Sequence, residues 1–283
     1  MRVAIAGCGD LGMRLARRLA AGAVPVLGLR RSAAPSVPGL RLARVDVTRL
    51  EPGQLADWGA TALVIALSPD RRTPEDYRAT YVRSLDALAA AFGASLVRCL
   101  LVSSTAVYGG EDGGWVDEDT AAAPARWNGA ILLEAERRAA ALLPGLVICR
   151  LAGIYGPGRE RMWRRALAGE RGSRRWTNRI HAEDAAAALA HLLAVPAPGP
   201  CYNVSDDRPA PEFEVLDGLR ALCGRPALGS VEGGGRGRRI RNARLRAAGW
   251  APRYPGWSEG YAAELAARDG QDPVAAGHGG HRV

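Results

Sequence analysis

The sequence predicts an α/β fold in which a parallel sheet is doubly wound with helices and is followed by a smaller C-terminal lobe. Three observations predict it. Short apolar runs alternate with segments of helical periodicity as far as residue 156, a pattern typical of parallel sheets. The first of these runs is followed at once by three closely spaced glycines. The length of 283 residues is enough for one large core with a smaller lobe beside it.

The individual elements are predicted from hydrophobic periodicity. Short runs rich in apolar residues predict the strands of a parallel sheet, and they occupy residues 3–6, 24–29, 40–45, 62–67, 97–102, 146–151 and 201–204. Apolar residues at helical spacing predict helices over residues 54–58, 74–92, 129–143, 161–168, 182–193 and 211–222. The glycine-rich segment 269–283 is expected to be a disordered tail.

Gly7, Gly9 and Gly12 have the spacing G-x-G-x-x-G between an apolar strand and a predicted helix. In that context the first glycine permits a tight turn, the second lets the backbone approach a pyrophosphate, and the third lets the helix pack on the strand. Phosphate charge then lies at the N–H groups of the helix N-terminus. The motif predicts a dinucleotide site; the alternative is a glycine turn that only connects strand and helix.

All 38 Lys+Arg residues of the chain are arginine. The absence of lysine excludes a Schiff-base lysine, a P-loop lysine and a Tyr-x-x-x-Lys pair. A net charge of +9 admits a nucleic-acid partner. However, the arginines are spread along the chain, and the densest cluster, residues 236–246, has no interleaved aromatic residues on which bases could stack. Small anionic molecules are therefore favoured as ligands, and no specific nucleic-acid partner is expected.

Cysteine usage and hydropathy indicate the cellular compartment. The five cysteines are scattered and form no C-x-x-C pair, which is typical of reduced thiols rather than of disulfides or a metal site. No apolar run is long enough to cross a bilayer, and the chain opens directly on a strand-like run. We therefore expect a cytoplasmic protein with no signal peptide, membrane partner or metal site.

Four separated motifs, in a consistent order along the chain, carry a family resemblance. Residues 102–109 read VSSTAVYG and resemble S-S-x-x-V-Y-G, and residues 150–158 read RLAGIYGPG and resemble R-x-x-N-V-Y-G-P-G. Residues 179–186, RIHAEDAA, are similar to V-H-V-x-D-V-A, and residues 242–252, NARLRAAGWAP, are similar to S-K-x-x-x-x-L-G-W-x-P. Together with the glycine motif they resemble the extended and atypical short-chain dehydrogenases/reductases, the NAD(P)-dependent epimerase/dehydratase family.

This resemblance implies a Rossmann-type fold with a dinucleotide-binding domain at residues 1–158 and a substrate lobe at 159–268, from which residues 179–204 return to the first domain. It also implies a cofactor held along the carboxyl ends of the strands by Gly7, Gly9, Asp10, Leu11, Gly12, Arg30, Arg31, Asp46, Val47, Ala66, Leu67, Ser68, Ser103, Gly153 and Ile154. Arg30 and Arg31 follow the second strand, where an NAD site carries an acid. NADP is therefore expected more than NAD, because a guanidinium can pair with a 2′-phosphate.

The family's catalytic tyrosine and lysine are missing from this chain. Ser104 matches the family's substrate-binding Ser/Thr, but alignment on Glu134 places Arg126 at the tyrosine position and Ala130 at the lysine position. Arg126 stays charged at any working pH, so it is expected to bind an acidic substrate or a cofactor phosphate rather than to exchange a proton. Tyr108, close to Ser104 in sequence, is the first candidate for a replacement acid/base.

Three functions remain open from the sequence. The leading interpretation is an NAD(P)-dependent oxidoreductase or epimerase that acts on a sugar nucleotide or another polar small molecule through an altered site, with little turnover of standard sugar nucleotides. The second is a non-catalytic NAD(P)-binding redox sensor or regulatory protein, and the third is a basic nucleic-acid-binding protein. The resemblance also implies a homodimer through helices 74–92 and 129–143, where Ala87, Ala90, Ala91, Ala139 and Ala140 would allow close approach.

Overall fold

The innermost strands of the central sheet, Val3–Ala6 and Ala62–Ile65, are entirely apolar because both of their faces are covered, whereas the edge strand Leu40–Arg44 carries two arginines and is largely accessible. The computed structural model describes residues 1–33, 37–233 and 236–269. Its strands are β1 (Val3–Ala6), β2 (Val26–Arg30), β3 (Leu40–Arg44), β4 (Ala62–Ile65), β5 (Arg98–Ser104), β6 (Trp115–Val116), β7 (Leu146–Leu151), β8 (Gly153–Tyr155), β9 (Trp176–Thr177), β10 (Arg179–His181), β11 (Cys201–Val204), β12 (Ala210–Pro211) and β13 (Arg239–Ile240). Its helices are α1 (Asp10–Ala21), α2 (Pro74–Arg78), α3 (Ser84–Phe92), α4 (Trp127–Leu142), α5 (Arg161–Leu167), α6 (Ala182–Ala194), α7 (Glu212–Leu222), α8 (Ala243–Ala247) and α9 (Trp257–Asp269).

Seven of these strands form one sheet in the order β3-β2-β1-β4-β5-β7-β11, and every neighbouring pair is parallel. The chain runs outward from β1 to β3 on one side and then crosses back to β4 on the other, so a crevice opens at the carboxyl ends of β1 and β4. Ala6, the last residue of β1, lies opposite Leu29 of β2 and Ile65 of β4. The predicted doubly wound parallel sheet is confirmed.

Helices cover both faces of the sheet because side chains alternate along each strand. Val3 and Ile5 of β1 point to the face covered by α1 and α6, whereas Ala4 points to the face covered by α3 and α4. The segment 182–204 therefore belongs to the main body: α6 packs beside α1, and β11 is an edge strand of the sheet.

The second lobe has a small core of its own, formed by α5, α7 and α9. Trp163, Leu216, Leu219 and Tyr261 are buried there. Residues 270–283, most of the segment expected to be a disordered tail, lie outside the described residues. In the parts of the chain that the structure describes, no helix is both long and apolar enough to cross a membrane.

The predicted helix over residues 74–92 is interrupted. It consists of α2, a π-helical turn at Ala79–Arg83, and α3. The Ser84 hydroxyl donates a hydrogen bond to the Thr80 carbonyl (2.6 Å) within this turn. A π-helical turn changes the direction of the side chains around it and is frequent at functional sites. Periodicity alone did not indicate the interruption, because apolar residues continue on both sides of it.

Candidate functional site

A cavity of about 830 Å³ opens at the carboxyl ends of the central strands. It extends from the arginines that follow β2 to Ser104 at the end of β5. Thirteen of the residues expected to hold a cofactor line it: Gly7, Gly9, Asp10, Leu11, Arg30, Arg31, Asp46, Val47, Ala66, Leu67, Ser68, Ser103 and Ile154. Gly12 and Gly153 are not among the lining residues; Gly12 is buried at the base of α1, and Gly153 bonds to the Asn178 carbonyl (3.1 Å).

The glycine turn after β1 can be formed only by glycines at two of its three positions. Gly7 has φ +88°, and a Cβ there would clash with the Ala66 carbonyl. A Cβ on Gly12 would clash with the Gly7 carbonyl, so Gly12 lets α1 pack closely on the turn. A Cβ on Gly9 would meet no atom within 4 Å and would point into open space. The backbone at Gly9, the N-cap of α1, is thus accessible to a ligand.

One end of the cavity is rich in arginine. Arg30, Arg31 and Arg44 line it together with Asp46 and Asp70. Arg31 makes two hydrogen bonds to the Asp70 carboxylate, both 2.5 Å, and both residues are largely exposed. Arg30 bonds to the Ser32 hydroxyl (2.9 Å), while its buried Nε has no hydrogen-bond partner within the described residues. Because its lining has three guanidinium groups and two carboxylates, this end carries a net positive charge, which favours an anion.

Asp46 lies at the same end and begins a short turn. Its carboxylate accepts hydrogen bonds from the backbone N–H of Thr48 (3.0 Å) and from the Thr48 hydroxyl (2.7 Å). Burial raises the pKa of Asp46, but the two bonds from Thr48 together with the charges of Arg31 and Arg49 outweigh burial, and the net pKa is lowered. Asp46 is therefore ionised at neutral pH, and one of its oxygens is used by the turn.

Hydroxyl groups collect at the other end of the cavity. Ser104 Oγ accepts a hydrogen bond from the Ala106 N–H (3.1 Å), and Thr80 and Tyr81 reach the cavity from the π-helical turn. Tyr81 packs against a buried cluster that contains Val107 and Leu132. Burial, with a smaller contribution from Tyr77, raises the pKa of Tyr81 to about 12, so this phenol holds its proton at neutral pH.

The structure argues against a catalytic role for Tyr108. The side chain is 1% exposed and does not line the cavity. Its hydroxyl donates to Asn203 Oδ1 (2.9 Å) and accepts from Arg150 (2.9 Å), while the Arg150 guanidinium stacks on its ring at 4.8 Å. Burial raises the pKa of Tyr108 to about 12, although Arg150 lowers it. Proximity in sequence was misleading because the chain turns inward after Ser104.

The alignment on Glu134 is also corrected by the structure. Glu134 is exposed and approaches Arg78 at 3.4 Å, whereas Glu136 is buried and binds Arg150 through both carboxylate oxygens (3.0 and 2.7 Å). Glu136 also accepts a hydrogen bond from the Ser103 hydroxyl (2.6 Å). The inward face of α4 is therefore the one that carries Glu136.

That face presents different residues to the cavity. Leu132, one turn before Glu136, lines the cavity, and Asn128 lies one turn earlier. Ala130 and Arg126 are exposed, so they occupy neither catalytic position, and Arg126 does not line the cavity as a substrate-binding residue would. Since Leu132 and Asn128 cannot exchange protons, the usual tyrosine and lysine are missing in this alignment too.

Sequence reasoning missed several lining residues. These are Cys8, Leu29, Ser32, Arg44, Val45, Thr48, Asp70, Thr80, Tyr81, Val102, Leu132, Leu151, Ala152 and Arg159. Arg44 could have been found, because it ends β3 beside Arg30 in the parallel register. Thr80 and Tyr81 carried no signal, since their orientation depends on the π-helical turn.

No family model matches the chain. The chain is 34% identical over 254 residues to Protein YeeZ of Escherichia coli (strain K12), which covers 82% of this chain and 89% of the relative.

Two solved structures are similar to this chain in sequence and in fold. A Methylobacillus flagellatus protein assigned to the NAD-dependent epimerases/dehydratases is 39% identical, with a TM-score of 0.83 over 95% of this chain and 98% of that chain. MoeE5 in complex with UDP-glucuronic acid and NAD is 25% identical, with a TM-score of 0.78 over 95% of this chain and 100% of that chain. The similarity therefore spans both lobes rather than the sheet alone.

Proposed function

The chain belongs to the NAD-dependent epimerase/dehydratase family, and from that premise we propose that it binds a dinucleotide along the cavity, with NADP favoured over NAD. The observation that carries the proposal is the glycine turn. Gly9 leaves its backbone open to the cavity, and Gly7 and Gly12 hold the N-terminus of α1 against the strand end. The N–H groups of that helix terminus can then bind a pyrophosphate.

The arginine end of the cavity supports NADP. Arg30 has a buried Nε without a partner in the described chain, and Arg44 lies beside it on β3. β2 ends in Arg30 instead of an acid that would accept hydrogen bonds from the ribose hydroxyls of NAD. A 2′-phosphate at this place would satisfy the Arg30 guanidinium, because charge-assisted hydrogen bonds to phosphate are strong.

Calorimetry with NADP⁺ and NAD⁺ tests the cofactor preference. Loss of one hydrogen bond between charged groups costs about 1.5–3 kcal/mol, so Arg30→Met should weaken NADP⁺ binding by about tenfold or more and leave NAD⁺ binding unchanged. Arg41→Met, an exposed substitution on β3 outside the cavity lining, is the control for the lost charge. Equal affinities for both nucleotides in the wild type and in Arg30→Met would refute the preference.

We also propose catalysis: an oxidoreductase or epimerase acting on a sugar nucleotide or another polar small molecule through an atypical site. MoeE5, a structural relative, carries UDP-glucuronic acid and NAD together. A bound nicotinamide would supply hydride transfer. In this proposal Ser104, which lines the cavity, hydrogen-bonds a substrate oxygen, and the protonated Tyr81 hydroxyl gives its proton to a carbonyl oxygen as that oxygen becomes a hydroxyl.

The alternative is a non-catalytic NAD(P)-binding sensor or regulatory protein. It is favoured by the absence of a proton-exchanging side chain on the cavity face of α4, where Leu132 lies. Cofactor turnover over a panel of sugar nucleotides and simpler polar carbonyl compounds distinguishes the two. Catalysis predicts that Ser104→Ala and Tyr81→Phe each lower the rate by about 10²–10⁴-fold, and that Tyr108→Phe lowers it much less. Tight dinucleotide binding without turnover supports the alternative.

The proposed assembly is a homodimer through the outer faces of α2, α3 and α4. Ala91 and Ala139 are buried in the core under the sheet, so they cannot contribute to helix contacts between subunits. Ala90 and Ala140 are exposed and remain candidates. Light scattering at micromolar concentration should give the dimer mass. We propose a cytoplasmic location as well, because all five cysteines are free thiols.

A further inference from the structure

An ion pair crosses the rim of the cavity beside the glycine turn. Arg159 donates a hydrogen bond from Nε to Asp10 Oδ2 (2.9 Å), and its Nη2 lies 2.9 Å from the same oxygen. Asp10 is the first residue of α1, and Arg159 follows the turn Gly156-Pro157-Gly158 after β8. Both residues line the cavity.

Asp10 and Arg159 belong to a cluster of four charged residues that also contains Arg14 and Glu183. Arg14 is held in place by several protein contacts. It donates to Asp10 Oδ1 (2.8 Å) and to the Pro157 carbonyl (3.0 Å), and it also pairs with Glu183. Its side chain is 16% exposed. Arg14 therefore anchors the Gly-Pro-Gly turn to α1, and each of its three nitrogens is already bonded to a protein oxygen.

Arg159 is placed differently. Its side chain is 35% exposed and lines the cavity, and its only partner in the described chain is one oxygen of Asp10, which both Nε and Nη2 approach. Because the side chain is partly exposed, its guanidinium can turn toward the cavity while the backbone stays in place, and its five N–H donors can then bind an anion. It is the cation of this cluster that can serve a ligand.

The charges of these four residues favour such a cation. Asp10 and Glu183 carry two negative charges, and Arg14 and Arg159 carry two positive charges, so the cluster is neutral. A pyrophosphate at the N-terminus of α1 would add about two negative charges next to the Asp10 carboxylate. The helix N-terminus attracts that anion, whereas Asp10 repels it unless a cation lies between them.

We propose that Arg159 binds the pyrophosphate of the dinucleotide, turning from Asp10 to the phosphate oxygens and holding the Gly-Pro-Gly turn over the bound cofactor. This inference rests on the proposed dinucleotide site. Arg159 acts on the part that NAD and NADP share, in contrast to Arg30, which acts on the 2′-phosphate. It therefore raises affinity for both cofactors without discriminating between them.

Calorimetry with three ligands tests this role. Arg159→Met should weaken NAD⁺ and NADP⁺ binding by the same factor, about ten- to hundredfold, since one hydrogen bond between charged groups is lost. Adenosine 2′-phosphate, which has no pyrophosphate, should bind Arg159→Met and the wild type equally. Asp10→Asn should tighten binding of both dinucleotides, because it removes the repulsion and releases Arg159.

Arg161→Met is the matched control, because Arg161 is an exposed residue of α5 two positions away and does not line the cavity. Thermal unfolding of every variant shows that the fold is kept. If the wild type binds neither dinucleotide, the proposed function fails. If the wild type binds them and Arg159→Met binds them equally well, the role of Arg159 is overturned while the proposed function stands. A loss that also appears with adenosine 2′-phosphate overturns it too.

Discussion

The glycine turn and the Ser104 end of the cavity are built by different parts of the chain. At the glycine turn the surface is backbone, shaped by Gly7, Gly9 and Gly12 over a few consecutive residues. At the Ser104 end it consists of side chains from β5, α4 and the π-helical turn, held by the buried contact between Glu136 and Arg150. A site made by local backbone can be identified from a short motif, whereas a site made by distant side chains depends on how several elements pack.

The largest expected effect tests whether the Ser104 end depends on one buried ion pair. Glu136→Ala leaves the Arg150 guanidinium buried without its carboxylate, which should lower the free energy of unfolding by about 3–5 kcal/mol. Glu134→Ala, two residues away on the same helix, removes only an exposed pair and should cost about 1 kcal/mol or less. Urea unfolding measures both variants, and equal losses would contradict this account of α4.

His181 should make the stability of the fold depend on pH, because its side chain is buried between two tyrosines. Its ring lies between the rings of Tyr155 and Tyr254, with centroid distances of 5.2 Å and 4.5 Å. Burial lowers its pKa from 6.5 to about 4, while Glu183 raises it and Arg14 and Arg253 lower it. Between pH 6.5 and 4, His181 is therefore protonated in the unfolded chain but neutral in the folded chain. The contribution of neutral His181 to the free energy of unfolding is complete above pH 6.5 and is lost as the pH falls toward 4.

His181→Asn isolates that contribution, because the asparagine oxygen can still accept the Glu183 N–H that His181 Nδ1 accepts at 3.2 Å. Between pH 6.5 and 4 the wild type should lose up to about 3 kcal/mol more than the variant. The comparison with the variant is needed because burial raises the pKa of Asp206 to about 8, which changes stability in the opposite direction. Parallel pH profiles for the two proteins would show that His181 is not buried in its neutral form.

At the glycine turn, substitutions of Gly9 and Gly12 should have different effects. Gly12→Ala places a methyl group against the Gly7 carbonyl and should destabilise the fold by about 1–3 kcal/mol. Gly9→Ala meets no atom, so stability should change by no more than about 0.5 kcal/mol while dinucleotide binding weakens, because the methyl group occupies the approach to the backbone. Unfolding and calorimetry on both variants provide the test. Unchanged dinucleotide binding by Gly9→Ala would place the pyrophosphate elsewhere.

The smallest effect is expected at the exposed edge of the arginine end. Asp70→Ala frees Arg31 from its carboxylate partner and leaves the unfolding free energy unchanged. NADP⁺ binding should tighten by less than tenfold and NAD⁺ binding should not change, because the released guanidinium reaches only the 2′-phosphate. Calorimetry at two salt concentrations should show the gain shrinking as salt screens the charges. A gain for both nucleotides would place Arg31 near the pyrophosphate instead.

Much of the fold was readable from the sequence. β7 and β11 match their predicted bounds, Leu146–Leu151 and Cys201–Val204, because each is a mostly apolar run that begins directly after a Pro/Gly pair. The two-residue strands β6, β9, β12 and β13 were not predicted, since two residues show no periodicity. They form only because distant loops meet in the second lobe.

The candidate site divides in the same way. The turn at Gly7, Gly9 and Gly12 and the arginine after β2 follow from residue type and spacing, because the backbone conformation they require is local. The register of α4 did not follow, because Glu134 and Glu136 are equally plausible in a sequence and only packing against Arg150 decides which one is buried.

What the sequence determined by itself is the parallel sheet, the glycine turn and the loss of the catalytic tyrosine and lysine. The tertiary structure decided which hydroxyl faces the cavity, excluding Tyr108 and presenting Tyr81, and it brought Arg159 to Asp10. The physical reason is the range of the forces involved. Turn geometry and strand burial depend on neighbours along the chain, whereas the direction of a side chain and its charge partner depend on elements that meet only after folding.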